Sequence, residues 1–324
     1  MKRSIVCAAL LGMLACNANA ETKIVKIGSG APKSGGIAHL GQDNELGAQL
    51  AIDDINVAGL VINGQKIQLQ LVGEDDEGDP KQAITAAQKI VDSDAVAVVG
   101  HLNSGASMPA NEIYTTAGMA QVSPSSSNPD YTLRRYVTST PKGNHSAYRV
   151  VPNDIQQAHM LAKWLITQNA KRVAVLDDAT QYGHGLAKYI IEDLKGSSIE
   201  VSVYKSLTET TKNFKSVLTL AKTKKVDYIF WGGMDDTGAR LAEQMKALSL
   251  KAELLSGDGI CYRSFLELAG DAAEDVVCSV GGEELSTLPR GTWFGTHFRQ
   301  KTDRLVQIFS PYAYDAVYAI VEAM

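Results

Sequence analysis

The sequence predicts an α/β fold of two doubly wound parallel-sheet lobes joined by a hinge, and three observations predict it. A short β-branched run, a polar loop and an amphipathic helix recur in order; the recurrence restarts near residue 154; and 324 residues suit two domains at about 150 residues each. Strands separated by single helices need crossover connections, which makes them parallel with helices on both faces. Composition agrees: 45% hydrophobic, 21% charged and 28 Gly are ordinary for a globular chain. The net charge of −5 argues against nucleic acid or an anionic membrane as the main partner.

Residues 1–20 read as an export signal, with Lys2 and Arg3 before an apolar stretch and Ala18-Asn19-Ala20 as a small-x-small cleavage site. Its removal leaves 29 basic against 36 acidic residues, a net of −7. Leu14-Ala15-Cys16 can also be read as a lipoprotein box with Cys16 as the lipidated terminus, or simply as part of the apolar stretch. Either way the expected location is the periplasm. No later apolar run is long enough to span a bilayer. In an oxidising compartment the remaining Cys261 and Cys278, with no Cys-x-x-Cys spacing or nearby His, suit a disulfide better than a metal site, with two buried thiols as the alternative.

The first series is expected to hold a strand at 24–27, a polar loop at 28–36 and a helix carrying Leu46, Leu50, Ala51 and Ile55, closed by Gly59. A strand at 67–72 follows. Asp79 as N-cap and Pro80 at the first helical position announce the next helix, whose stripe is Ala83, Ile84, Ala87, Ile90 and Val91. Then come a buried strand at 95–99, a loop at 100–107, a helix at 109–117 ended by Gly118, and a strand from 119 to 122.

The second series starts with a helix bearing Ile155, Ala158, Ala162, Leu165 and Ile166. Strands are expected at 173–176, 199–204, 227–231, around 254–255 and at 276–280. Between them lie helices at 183–194, after an Asn213 cap with Phe214, Val217, Leu218 and Ala221, and around Leu241, Met245 and Leu248. Ser310-Pro311 opens a last helix with Tyr314, Val317, Ile320 and Val321.

Parallel sheets place ligands beyond the carboxyl ends of their strands. The loops there are 101–107 and 123–129 in the first series, and 177–185, 232–236 and 256–259 in the second. One set offers hydroxyls and a helix N-terminus, which favours a carboxylate. The other offers carboxylates and Tyr182, which suits a zwitterion held between the two. Each cluster alone also reads as a turn. Enzyme signatures are absent or weak: there is no phosphate loop, no nucleophile elbow and no His/Cys cluster for a metal, and the Ser-x-x-Lys match at 139–142 carries Pro141 inside it. Binding without cofactor or catalysis is the expected class.

Five motifs occur in order along the mature chain: Asp75-Asp76 with Asp79-Pro80-Lys81-Gln82-Ala83, Val99-Gly100-His101-Leu102-x-Ser104, Ser123-Pro124 with Asn128-Pro129, Tyr182-Gly183-x-Gly185-Leu186-Ala187, and Gly257-Asp258-Gly259. Together they resemble the periplasmic branched-chain amino-acid-binding proteins. The resemblance implies a type 1 periplasmic binding protein: a monomeric receptor that takes a free amino acid, branched-chain or otherwise hydrophobic, to the permease subunits of an ABC importer. A ligand-sensing domain, or a receptor for an amide or urea-like solute, stays open as the alternative. Implied ligand contacts are Ser104, Ser125 and Ser127 with the backbone of Leu102 in the first lobe, and Asp258, Tyr182 and Met234 in the second. Met234 stands where the family has a Tyr, Asp258 where it has Glu, and Leu40 replaces an aromatic. Asn103 and Gly78 occupy the positions of the family's first-lobe disulfide. The implied organisation is a first lobe of 21–148 with 282–324 and a second of 149–281. Family members continue beyond the helix that ends this chain at Met324, so a truncated product with two of three hinge strands is expected.

Overall fold

The computed structural model describes residues 21–133 and 146–324. The export signal, Cys16 and the match at 139–142 lie outside the described residues. Two sheets form two lobes. The first has six strands, β1 (Lys23–Ala31), β2 (Leu60–Ile62), β3 (Gln65–Asp75), β4 (Ala95–Gly100), β5 (Ala120–Ser123) and β6 (Ala147–Arg149), in the order β2-β3-β1-β4-β5-β6. The second has five, β7 (Arg172–Asp177), β8 (Glu200–Ser206), β9 (Tyr228–Gly232), β10 (Glu253–Ser256) and β11 (Val277–Cys278), in the order β11-β10-β9-β7-β8.

Every pairing is parallel except β2 with β3. That antiparallel pair differs from the expected pattern. Asn63 and Gly64 both take positive φ, 51° and 79°, and turn the chain back so that Ile62 meets Gln65. An Asn-Gly pair suits such a two-residue hairpin because both residues tolerate the left-handed region.

Helices cover both faces of each sheet. On one face of the first sheet lie α1 (Ala38–Ala58), α9 (Gly291–Thr302) and α10 (Ser310–Glu322), burying Leu50, Ile52, Phe298 and Val317 against Ile27, Leu69 and Val99. On the other lie α2 (Pro80–Asp92) and α3 (Ser104–Thr116). The second sheet is sandwiched between α4 (Asp154–Thr167) with α5 (Gln181–Leu194), and α6 (Lys215–Lys224), α7 (Asp235–Ala247) with α8 (Arg263–Ala269). Each fully buried Leu, Ile or Phe contributes about 1.5–3 kcal/mol relative to exposure, so these four faces carry most of the stability.

The caps explain where helices start. Asp79 accepts from the N–H groups of Lys81 and Gln82, and Pro80 needs no donor partner at the first position. Asn153 forms a reciprocal capping box with Gln156. In the α2 stripe Ile84 is exposed and Ala86 is buried in its stead. The larger correction is α3, which begins at Ser104 and not at Pro109: Asn103 holds the extended N-cap geometry and its carbonyl accepts from Ala106 and Ser107. Pro109 therefore sits inside the helix, where it forfeits one main-chain hydrogen bond. The strand expected at 276–280 shrinks to Val277–Cys278.

Candidate functional site

The carboxyl ends of β4 and β5 carry a first set of polar groups, gathered around two carbonyls. His101, Asp76 and Tyr114 are fully buried, with His101 Nδ1 2.5 Å from Asp76 Oδ2 and Nε2 3.0 Å from Tyr114 Oη. This trio holds the residue whose carbonyl oxygen accepts from Ser123 Oγ at 2.8 Å and Ser107 Oγ at 3.2 Å. The next carbonyl, of Leu102, accepts from Ser125 Oγ at 2.7 Å and Ser126 Oγ at 3.1 Å. Asn44 on α1 donates to Ser125 Oγ, and Ser104 Oγ accepts from Asn128 N at 3.1 Å. Arg149 clamps the loop from outside, donating to the carbonyls of Ser126 and Asn128 and to Thr132 Oγ1. The hydroxyls are thus oriented by the protein's own carbonyls.

The second lobe presents carboxylates. Tyr182, in the first turn of α5, donates its hydroxyl to Asp258 Oδ1 at 2.7 Å and accepts from Gly259 N at 3.0 Å. Burial pushes the Asp258 carboxyl above its usual range while the Tyr182 hydrogen bond pulls it back. The flanking glycines let the loop lie this close. A Cβ on Gly257 would stand 2.7 Å from Tyr182 Oη, and one on Gly259 2.4 Å from the Gly233 carbonyl oxygen. Asp154 is also fully buried; burial pushes it up to about 8, and the negative field of Asp258 adds to this while Ser127 and Arg149 pull the other way.

The two sets meet. Leu102, Ser104, Ser125, Tyr182, Met234 and Asp258 line one small cavity of about 20 Å³ between the lobes. Beside Asn103 and Gly259, its remaining wall is apolar, from Leu40, Tyr262 and Phe309, which pack as one cluster with Leu102. Ser127 stands apart: it lines an adjoining cavity with Asp258, Phe309 and Tyr312, and its carbonyl accepts from Asp154 N at 2.9 Å. Met234 supplies a flexible thioether wall. Tyr262, four residues beyond Asp258, and Phe309, from the far end of the chain, escaped the sequence reading. So did the buried trio and Arg149. Only the motifs around Asp76 and His101 hinted at any of them.

Direct contacts also join the lobes. His39 Nε2 on α1 lies 2.8 Å from Asp235 Oδ2 at the start of α7, and Ser264 Oγ donates to that same oxygen. Asp235 and Asp236 hold His39 above its usual pKa although burial opposes this. Asn128 Nδ2 reaches the Gln181 carbonyl at 2.6 Å. The structure is therefore a closed one. Asn103 Nδ2 donates to the Gly78 carbonyl at 2.9 Å, a hydrogen bond at the place of the first-lobe disulfide that the resemblance describes. Cys261 and Cys278 are disulfide-bonded, with Cα atoms 5.8 Å apart.

Comparison with known proteins gives a consistent result. Residues 24–324 match the family described as periplasmic binding protein. Leu/Ile/Val-binding protein homolog 1 of Brucella abortus (strain 2308) is 30% identical over 316 residues, 97% of this chain and 81% of its own length. The substrate-binding protein LivJ of Streptococcus pneumoniae, solved with isoleucine, superposes with a TM-score of 0.81 at 27% identity, covering 93% of this chain and 84% of that one. LivK of Thermotoga maritima, also at TM-score 0.81 but 23% identical, covers 92% of this chain and 82% of its own and supports the fold alone.

Proposed function

Because the chain belongs to the periplasmic binding protein family, we propose that it captures an α-amino acid between its lobes in the periplasm and delivers it to the permease subunits of an ABC importer. One observation carries this reading: oriented hydroxyls from one lobe and a buried carboxylate from the other converge on one small space between the lobes that Leu40, Tyr262 and Phe309 also line. The α-carboxylate is to be held by Ser104 at the N-terminus of α3, whose first-turn N–H groups favour an anion, and by Ser125 from the loop after β5. The α-ammonium belongs to Asp258, kept in place by Tyr182, with Ser127 contributing from the side. Leu40, Met234, Tyr262 and Phe309 are to receive the side chain.

Such a ligand bridges the lobes and binds the closed form better than the open one, so it shifts the hinge equilibrium by that difference in affinity. Charge-assisted hydrogen bonds in a closed cleft read the amino-acid backbone, and the apolar wall reads the rest. Asp258→Ala is expected to weaken amino-acid binding at least about tenfold, since it removes a charged hydrogen-bond partner worth about 1.5–3 kcal/mol. Calorimetry giving wild-type affinity for that variant would end the assignment. Ligand-dependent ATP hydrolysis in vesicles holding the cognate permease tests delivery.

A further inference from the structure

Beside the cavity just described lies a larger one, about 230 Å³, between the lobes, and the two share Asn103, Tyr182 and Met234 as their common wall. Five carboxylates line it: Glu77 and Asp79 from the first lobe, Asp178, Glu209 and Asp236 from the second. No Lys, Arg or His lines it among the described residues. Three of the five are engaged, Asp178 only through one of its oxygens. Asp79 caps α2, and Asp236 lies 3.5 Å from Arg240 and accepts from Thr237 Oγ1.

Asp178 is the informative one. It is 2% exposed, and its Oδ1 accepts from both the N–H and the hydroxyl of Thr180 at 2.9 and 2.6 Å. Its Oδ2 is buried with no hydrogen-bond partner. A buried carboxylate oxygen without a donor is costly. Burial pushes this carboxyl up to about 7, the Thr180 hydrogen bonds oppose that, and Glu209 and Asp177 push it further. Burial likewise raises Glu209, with Asp79 and Asp236 adding to the shift. Among the described residues no three acidic, His or Cys side chains converge closely enough to hold a metal ion. Carboxylates spread around an elongated space suit an organic cation with several N–H donors.

We infer that this second cavity is a subsite for a cationic group, so that the solute is an α-amino acid whose side chain ends in an ammonium or guanidinium. The inference rests on the amino-acid reading above. The methylene stem passes between Met234 and the apolar wall, and the charged end meets Asp178 and Glu209.

Arginine and citrulline separate charge from shape, since they are near-isosteric and only arginine is cationic. Calorimetry on the wild-type chain at low salt is expected to give arginine at least about tenfold tighter than citrulline, the ratio a single charge-assisted hydrogen bond supplies. Glu209→Gln, at the exposed rim where the fold tolerates it, is expected to cut that ratio about fivefold. Equal binding of arginine and citrulline, or an unchanged ratio in Glu209→Gln, overturns the subsite. In either case tight binding of leucine would leave amino-acid capture standing. If leucine, arginine and citrulline all fail to bind, the reading beneath the inference falls with it.

Discussion

The two faces of the cleft solve opposite problems. The first-lobe face is built from neutral hydroxyls that satisfy one another on two backbone carbonyls, those of His101 and Leu102. The second-lobe face is built from carboxylates, Asp178 and Asp258, which are buried without a cationic side chain bonded to them, and Asp235, which meets His39 of the first lobe. Hydroxyls pre-oriented in this way are inexpensive and leave little to rearrange, whereas a buried carboxylate stores unfavourable energy until a positive charge arrives. On the proposed capture of an amino acid, the first lobe would supply geometry and the second the drive to close.

The largest effect expected from breaking this contrast lies beneath the first face. His101→Ala leaves buried Asp76 Oδ2 and the Tyr114 hydroxyl without their hydrogen-bond partner, and should destabilise the chain by about 3 kcal/mol. Urea unfolding with an unchanged midpoint would show that the trio is not what holds this face.

On the second face the expected effect is a pH dependence. Asp178 and Asp154 are pushed up to about 7 and 8, chiefly by burial, and Asp43 on α1 of the first lobe is pushed up to about 6 in the same way. Carboxyls raised in the folded state bind more protons there than in the unfolded chain, so stability falls as pH rises from about 4 to about 8. The ligand-free protein should melt higher at pH 5 than at pH 8.5, and Asp154→Asn should narrow the gap. A melting temperature that climbs over that interval contradicts the picture.

The smallest effect belongs to the contact between the faces. His39, facing Asp235, Asp236 and Asp43, is raised in this closed structure despite the opposing effect of burial, so its proton favours closure and that help is lost as pH rises. The pair is partly exposed and worth less than about 1 kcal/mol. His39→Gln is expected to weaken binding less than about fivefold at pH 6 and not at all at pH 8. A variant that loses as much at pH 8 as at pH 6 would remove the proton from the account.

Legibility in the sequence follows the range of the interaction. Asp79-Pro80, Asn153 and the apolar stripes act within a few residues, so helices and parallel strands could be read directly. Pro109 misled because a proline usually opens a helix, and here Asn103 had already done so. The candidate site was legible where it lay on strand-end loops, as at Ser104, Ser125 and Asp258. It was illegible where chain distance vanishes only on folding: Phe309 against Leu102, His39 against Asp235, and Asp76 under His101.

The loop Gly257-Asp258-Gly259 has a consequence for how this pocket can diversify. With the Tyr182 hydroxyl 2.7 Å from one absent Cβ and a carbonyl 2.4 Å from the other, neither glycine can acquire a side chain without moving its neighbours. Mutational drift is thereby blocked at the loop and left open at the walls. A lineage descended from this chain would acquire new ligands by exchanging Leu40, Met234 or Phe309, while the same carboxylate stays fixed between its two glycines.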